Sequence, residues 1–129
     1  QTWRLRGSVI ALAHSGGLIA AASDRGSLYI LTSRTPEDGA SAMDIPGSIS
    51  TLAFIGQRVL AVGTDEGRVW LLSIGGLLTG KDPESYLEVP GAVSALLGTS
   101  SGGLLVGSDS GRLDLFPSDA LWLPLPSTA

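Results

Sequence analysis

The stretch SDRGSLYIL at residues 23–31 decides the fold, because two related stretches follow it along the chain. They are TDEGRVWLL at residues 64–72 and SDSGRLDLF at residues 108–116, and the glycine of the turn recurs after 41 and then 44 residues. A period of about 40 to 45 residues that contains several short strands is typical of the blades of a β-propeller. The sequence therefore predicts three copies of one blade-like unit.

A second set of glycines gives nearly the same period. Gly7, Gly47 and Gly91 precede the three units and lie 40 and 44 residues apart. These anchors divide the chain into an outer strand of a preceding blade at residues 1–6 and three blades at residues 7–46, 47–90 and 91–129. Because a ring closes with about four to eight blades, we expect an all-β β-propeller segment. It should have about three four-stranded antiparallel blades and not form a closed ring by itself.

The first two strands of each unit are predicted from nearly continuous apolar runs. In the first unit they lie at residues 9–13 and 18–22, and in the second at residues 49–55 and 59–62. Such runs indicate that both faces of the sheet are covered, as happens when each blade lies between two neighbours. The third strand, residues 28–31 in the first unit, follows an Asp-x-Gly turn, in which glycine supplies the positive φ that hairpin turns require.

Alternating apolar and charged residues predict the fourth and outermost strand of each blade. The pattern occurs at residues 42–45 and 86–89, each followed by Pro-Gly, and proline suits an edge strand because it cannot donate to a ladder. The pattern also occurs at residues 3–6 and 121–125, so four outer strands accompany three inner triplets. We therefore expect that the chain is cut from a longer array, with residues 3–6 belonging to a blade whose first three strands are missing.

Charge and hydropathy argue against several classes of partner. The 129 residues include 8 Lys and Arg against 12 Asp and Glu, which gives a net charge of −4. The basic residues are spread singly, so the sequence shows no electrostatic footprint for nucleic acid or an anionic membrane. No apolar run approaches the roughly 20 residues that a membrane span needs. We expect neither nucleic acid nor membrane as a partner.

Residue types that are missing narrow the chemistry further. The chain has no cysteine, which excludes disulfides and thiolate metal sites, and it has no Asn that could accept an N-linked glycan. It starts at Gln1 without a signal-peptide pattern, which we interpret as a processed or excised segment. These observations predict a cytoplasmic or nuclear protein.

The third-strand regions resemble those of the WD40 repeat family. Residues 62–72, VGTDEGRVWLL, and residues 106–116, VGSDSGRLDLF, are similar to its G-S-x-D-G-x-[IVL]-x-[LIV]-W pattern. The resemblance covers essentially the whole chain and implies a propeller that binds other proteins. Two hallmarks differ, since the family's Gly-His is Gly-Ser or Gly-Ala here and its closing Trp-Asp is replaced in all three units. The repeat also resembles that of quinoprotein propellers, and the two interpretations stay open.

One stretch comes within a residue of a nucleotide-binding loop. Residues 75–82, GGLLTGKD, have the glycines and Lys81 of a P-loop, but Asp82 replaces the hydroxyl residue that would hold magnesium. Asp82 would also repel phosphate, and Pro83 follows at once with no amphipathic helix behind it. We interpret this stretch as an exposed loop between strands.

The acidic and histidine residues are better explained by structure than by catalysis. Asp24, Asp65 and Asp109 occupy the same register in three units, where a residue before the turn glycine supports the turn. Paired carboxylate catalysis needs two different environments, and a threefold repeat offers the same one each time. His14 is the single histidine and we expect it in an exposed turn, so we predict no zinc site and no catalytic triad.

The tryptophans and the turn residues divide into packing and binding roles. Trp3, Trp70 and Trp122 lie inside strand patterns and are predicted to pack between blades. The turns and the connections between outer and inner strands meet on one face of a propeller, where partners commonly bind. The residues predicted to form a binding rim on that face are Arg6, Ser8, Arg25, Ser48, Glu66 and Ser110.

These observations together favour a protein–protein interaction scaffold over an enzyme. We predict no cofactor and no metal site, and we expect the partners to be other proteins or the rest of the chain's own propeller. Two alternatives are a quinoprotein-like redox propeller with a cofactor on the axis, and a three-blade chain that closes a ring by homodimerisation.

Overall fold

A computed structural model describes residues 2–3, 5–35, 42–56, 59–73 and 85–118 of the chain. The fold is all-β, and the strands of these ranges form three antiparallel sheets, which we call blades 1 to 3. Blade 1 contains β1 (Val9–Ser15), β2 (Leu18–Ser23), β3 (Ser27–Leu31) and β4 (Ala42–Asp44). Blade 2 contains β5 (Ile49–Ile55), β6 (Val59–Thr64), β7 (Arg68–Ser73) and β8 (Ser85–Glu88). Blade 3 contains β9 (Val93–Gly98), β10 (Leu104–Ser108) and β11 (Leu113–Phe116).

The three blades share one register in their first hairpin. In each, the first residue of the inner strand pairs with the hydroxyl residue that ends the second strand, and a bulge follows at once. The pairs are Val9 with Ser23, Ile49 with Thr64, and Val93 with Ser108. Because a bulge shifts the ladder by one residue, its repetition at one place makes residue-by-residue comparison of the blades possible.

The core lies between the blades and not within them. One cluster fills the space between blades 1 and 2 and includes Leu28, Leu52 and Trp70. A second lies between blades 2 and 3 and includes Val69 and Leu104. The inner strands β1, β5 and β9 are neighbours in turn. All six residues of β6 are buried, since the middle blade is covered on both sides.

The structure refines several sequence-based boundaries. Strand β1 continues to Ser15, so His14 is an exposed strand residue and not a turn residue as expected, because the hairpin turn is made by Gly16 and Gly17 instead. Trp3 and Leu5 were expected in a strand but are irregular, since no neighbouring strand pairs with them in the described ranges.

Several predictions fall on residues outside the described ranges. They are Arg4 of the opening strand pattern, the P-loop-like stretch at 75–82, and the closing strand at 121–125 with Trp122. None of the described residues belongs to a helix with the length and apolarity needed to cross a membrane.

Candidate functional site

One edge of the three blades is built from turns and connections that alternate in space. We call this edge the turn rim. It comprises the turns at residues 24–26, 65–67 and 109–111 and the connections at residues 6–8, 46–48 and 90–92. Each turn joins the second strand of a blade to its third, and each connection leads into the first strand of a blade.

In blade 1 the turn holds its connection by two hydrogen bonds. The amide of Asp24 donates to the carbonyl oxygen of Ser8 at 2.9 Å, and Oδ1 of Asp24 accepts from the amide of Ser8 at 3.0 Å. Blade 3 repeats this arrangement. The amide of Asp109 donates to the carbonyl oxygen of Ala92 at 3.0 Å, and Oδ1 of Asp109 accepts from the amide of Ala92 at 2.9 Å. Both bonds reach the backbone, so the residue at the connection is fixed whatever its side chain.

Blade 2 achieves the same result with a different carboxylate. The amide of Asp65 donates to the carbonyl oxygen of Ser48 at 2.9 Å, as in the other blades. However, Oε1 of Glu66 accepts from the amide of Ser48 at 3.1 Å, because the longer side chain reaches from one position further along. The carboxylate of Asp65 has no hydrogen-bond partner among the described residues. The supporting role expected of three aspartates thus belongs to Asp24, Asp109 and Glu66.

Serine or threonine residues at the ends of the second strands form hydrogen bonds that support the turns. Ser23, Thr64 and Ser108 end the second strands and are all buried. Oγ of Ser23 accepts from the amide of Arg25 at 3.3 Å, and Oγ1 of Thr64 donates to the carbonyl oxygen of Arg68 at 3.1 Å. Because buried hydroxyls are normally hydrogen-bonded, these bonds account for the burial of Ser23 and Thr64 at the ends of their strands.

Backbone bonds also tie each turn to the end of the outer strand of its own blade, from which the connection to the next blade starts. The amide of Ile45 donates to the carbonyl oxygen of Gly26 at 3.0 Å, and the amide of Val89 donates to the carbonyl oxygen of Gly67 at 2.8 Å. Oγ of Ser110 also donates to the carbonyl oxygen of Pro90 at 3.3 Å. Each connection between two blades is thus fixed at its start to the turn of one blade and at its end to the turn of the next, which makes the turn rim a continuous ridge across the described blades.

The six residues predicted to form a binding rim all lie on this ridge and are all exposed. Arg6 and Arg25 keep guanidinium groups that have no partner among the described residues. The stem of Arg25 crosses over Gly7, where an added Cβ would come within 3.1 Å of Arg25 Cγ. Ser8 and Ser48 contribute backbone groups to the bonds described above, and Glu66 and Ser110 contribute side chains, so four of the six also support the turn.

An aromatic group on strands β7 and β8, the two outermost strands of blade 2, was not predicted as a unit. The rings of Trp70 and Tyr86 have centroids 4.8 Å apart with planes tilted by 57°, and the guanidinium carbon of Arg68 lies 4.7 Å from the centroid of Tyr86. These residues lie on neighbouring strands, where Arg68 pairs with Glu88 and Trp70 with Tyr86. A signal was present in the sequence, since residues 68–70 and residues 86–88 each have a charged and an aromatic residue two positions apart, which places both on the same face of a strand.

The two described tryptophans both pack against apolar residues, and the predicted packing between two blades is seen for Trp70. Trp70 belongs to the cluster between blades 1 and 2. Trp3 packs against buried residues on the side of blade 1 that faces away from blade 2, and its Nε1 donates to the carbonyl oxygen of Thr35 at 3.0 Å. Within the described ranges, no group of three or more His, Cys, Asp and Glu residues is placed to hold a metal ion.

Comparison with known proteins identifies the fold. No protein-family model and no curated protein sequence matches this chain. Two similar solved structures are crystals of BBS1N in complex with ARL6DN, soaked with mercury or with lead. Both have a TM-score of 0.67, with 22% and 23% identity over 88% and 98% of this chain. The chain spans 38% and 36% of their lengths, a little more than a third. It is therefore a segment with the fold of a β-propeller.

Proposed function

We propose that this chain is part of a WD40-like propeller that acts as a protein–protein interaction scaffold and binds its partner through the turn rim. The observation that carries the proposal is the pair of hydrogen bonds, one from a backbone amide and one to a side-chain carboxylate, by which Asp24, Asp109 and the Asp65–Glu66 turn hold the backbone of the connections. The rim is thereby held in one conformation while its side-chain ends remain in solvent.

A rigid rim favours binding because little conformational freedom is lost when a partner docks. The backbone bonds between turn and connection recur in all three blades, and the bonds of Ile45 to Gly26 and of Val89 to Gly67 fix the residues from which the next connection starts. A rigid scaffold that presents variable residues on its loops is the common arrangement of binding surfaces. The rim residues differ between blades, with Arg25, Glu66 and Ser110 at the same place in the three turns.

The charges on the rim support a polar protein surface as partner. Arg25 lies in the turn of blade 1, Arg6 lies in the connection that leads into blade 1, and the carboxylate of Asp65 lies in the turn of blade 2. Each of these charges lacks a partner among the described residues, so each is available for a complementary charge. Charges at an interface contribute mainly to specificity and the rate of association.

A binding role also agrees better with the carboxylates than catalysis does. Asp24, Glu66 and Asp109 all accept a backbone amide in the same exposed setting. Acid and base catalysis requires two groups whose surroundings push their pKa values apart. The similar propeller BBS1N was crystallised in complex with another protein, ARL6DN, which is a precedent for this type of function.

The test is a charge reversal on the rim with a matched control on the opposite edge. Arg25→Glu changes the rim, and Arg34→Glu makes the same change in the exposed turn after β3, at the other end of that strand. Tagged native protein and both variants are used to capture partners from an extract of the producing cells, with quantitative mass spectrometry. If the Arg25 charge contributes about 1 to 2 kcal/mol to the free energy of binding, its loss lowers the affinity about five- to thirtyfold.

We expect a set of proteins that is depleted by Arg25→Glu and retained by Arg34→Glu, with unchanged circular dichroism in both variants. Equal recovery by all three proteins would contradict binding at the rim. Equal depletion by both variants would indicate a general charge effect and would contradict it as well.

A further inference from the structure

Two apolar faces are open at the ends of the three-blade array. The trailing face is the side of blade 1 that carries Val9 and Leu12, and the leading face is the side of blade 3 that carries Leu97, Leu113 and Leu115. All five side chains are exposed, and they are most of the large apolar side chains that are exposed in the described ranges. Contiguous exposed apolar residues of this kind mark a surface that another element covers.

On the trailing face, the shared register shows what the exposed residues correspond to. Val9 and Leu12 occupy the places that Ile49 and Leu52 occupy in blade 2. Leu12 is 66% exposed, whereas Leu52 is 6% exposed because it packs against blade 1. The trailing face is thus the same surface as the side of blade 2 that is buried by its preceding blade.

The leading face corresponds to the other side of the middle blade. Leu113, 71% exposed, occupies the place of Val69, which is 0% exposed and packs against blade 3. Leu115 likewise occupies the place of the buried Leu71. Leu97 lies on the same side, because the ladders pair it with Leu105 and pair Leu105 with Leu115.

Part of a preceding blade is already present on the trailing face. Trp3 and Leu5 stand four and two residues before Gly7, as Met43 and Ile45 stand before Gly47. Met43 and Ile45 follow the course of the outer strand of blade 1 and pack in the space between blades 1 and 2.

Trp3 and Leu5 make the equivalent contacts one blade earlier. They pack against Ala21, Tyr29 and Leu31 of blade 1, and the amide of Arg6 donates to the hydroxyl of Tyr29 at 3.1 Å. They hold this position although no sheet beside them completes a blade in the described ranges. Their side chains therefore lie where the outer strand of a preceding blade would place them.

We infer that the trailing and leading faces are both inter-blade interfaces and that each is covered by a further four-stranded blade of the same polypeptide. The occupant is inferred to be a blade because the equivalent surfaces of blade 2 are covered by blade 1 on one side and by blade 3 on the other. The same polypeptide is the source because Trp3 and Leu5, the outer-strand residues of the preceding blade, already belong to it. The similar propeller chains agree, since well over half of each lies outside the matched part.

Thiol labelling tests the inference directly, because the chain contains no cysteine of its own. The variants Leu12→Cys and Leu113→Cys place one thiol on each face, and Leu97→Cys is a second probe of the leading face. Glu88→Cys, on the exposed outer strand of blade 2, is the control. Each cysteine is introduced into the full native gene product, after any other cysteine in that product has been replaced. The maleimide reaction rate is measured at several protein concentrations, with the urea-unfolded variants as the reference.

We expect the thiols at 12, 97 and 113 to react at least about tenfold more slowly than the thiol at 88, independently of protein concentration. Rates equal to the control at either face would overturn the inference. Protection that disappears on dilution would also overturn it, because a second copy would then be the occupant. Since the assay involves no partner, it is independent of binding at the turn rim.

Discussion

Replacement of Gly67 by alanine is the sharpest test of how the blades pack at the rim. Gly67 has φ of +83°, and a Cβ added there would lie 2.5 Å from the carbonyl oxygen of Val89 and 2.8 Å from that of Gly91. Gly56 is the matched control in the same blade, with φ of +60° and nothing within 4 Å of an added Cβ. Both substitutions force alanine into a left-handed conformation, but only Gly67→Ala also meets backbone oxygens of the next connection.

The expected magnitudes follow from these two differences. A left-handed conformation costs an L-residue about 1 to 2 kcal/mol, and reduced freedom of the unfolded chain returns about 0.4 to 1 kcal/mol. Gly56→Ala should therefore destabilise by about 1 kcal/mol. Crowding against a backbone that must move adds about 1 to 3 kcal/mol, so Gly67→Ala should destabilise by about 2 to 4 kcal/mol.

Urea denaturation followed by circular dichroism measures both variants. We expect the midpoint to fall for each, with the larger fall for Gly67→Ala and with an unchanged slope, since a stability change alone leaves the slope as it was. Equal losses for the two variants would refute the reasoning, because the close approach of the 89–91 connection would then contribute nothing. A larger loss for Gly56→Ala would refute it as well.

Two further predictions concern the core and the turns. Leu60→Ala removes a fully buried side chain of β6 and should cost about 2 to 5 kcal/mol in urea denaturation, well above any loss at the surface. A loss below about 1 kcal/mol would show that the middle blade is loosely packed. Asp109→Ala removes the acceptor for the amide of Ala92 and should cost about 1 kcal/mol, while Asp65→Ala removes a carboxylate without a described partner and should be nearly neutral. Reversal of that order in thermal denaturation would contradict the assignment of the turn bonds.

Much of the fold could be predicted because its signals are local. The runs at 49–55 and 113–116 coincide with strands β5 and β11, since each is an apolar or alternating run between turn residues. The repeat period then gave the blade architecture, which the likeness to solved propellers confirms. The boundaries missed, such as the extension of β1 to Ser15, depend on where the hairpin turn closes. Short glycine-containing turns allow several such positions.

The candidate site was predictable in its place but not in its bonds. The rim residues were expected on one face because turns and connections of a propeller meet there, and binding by them stays a prediction. That Glu66 and not Asp65 accepts the amide of Ser48 could not be read from the sequence. Ser48 and Glu66 are 18 positions apart in the sequence, and which of the adjacent carboxylates of Asp65 and Glu66 reaches Ser48 depends on side-chain length and on the geometry of the fold.

The sequence by itself determined the period, the inner strands and the turn chemistry, because apolar runs and Asp-x-Gly turns act through neighbours along the chain. Only the tertiary structure decided which of several equivalent apolar residues are buried. Leu52 and Leu12 stand at the same place in their blades, as do Val69 and Leu113, yet the first of each pair is buried and the second is exposed. The physical reason is that burial on the face of a blade is supplied by the adjoining blade, at a separation of about 40 residues or more, and no local pattern records whether that blade is present.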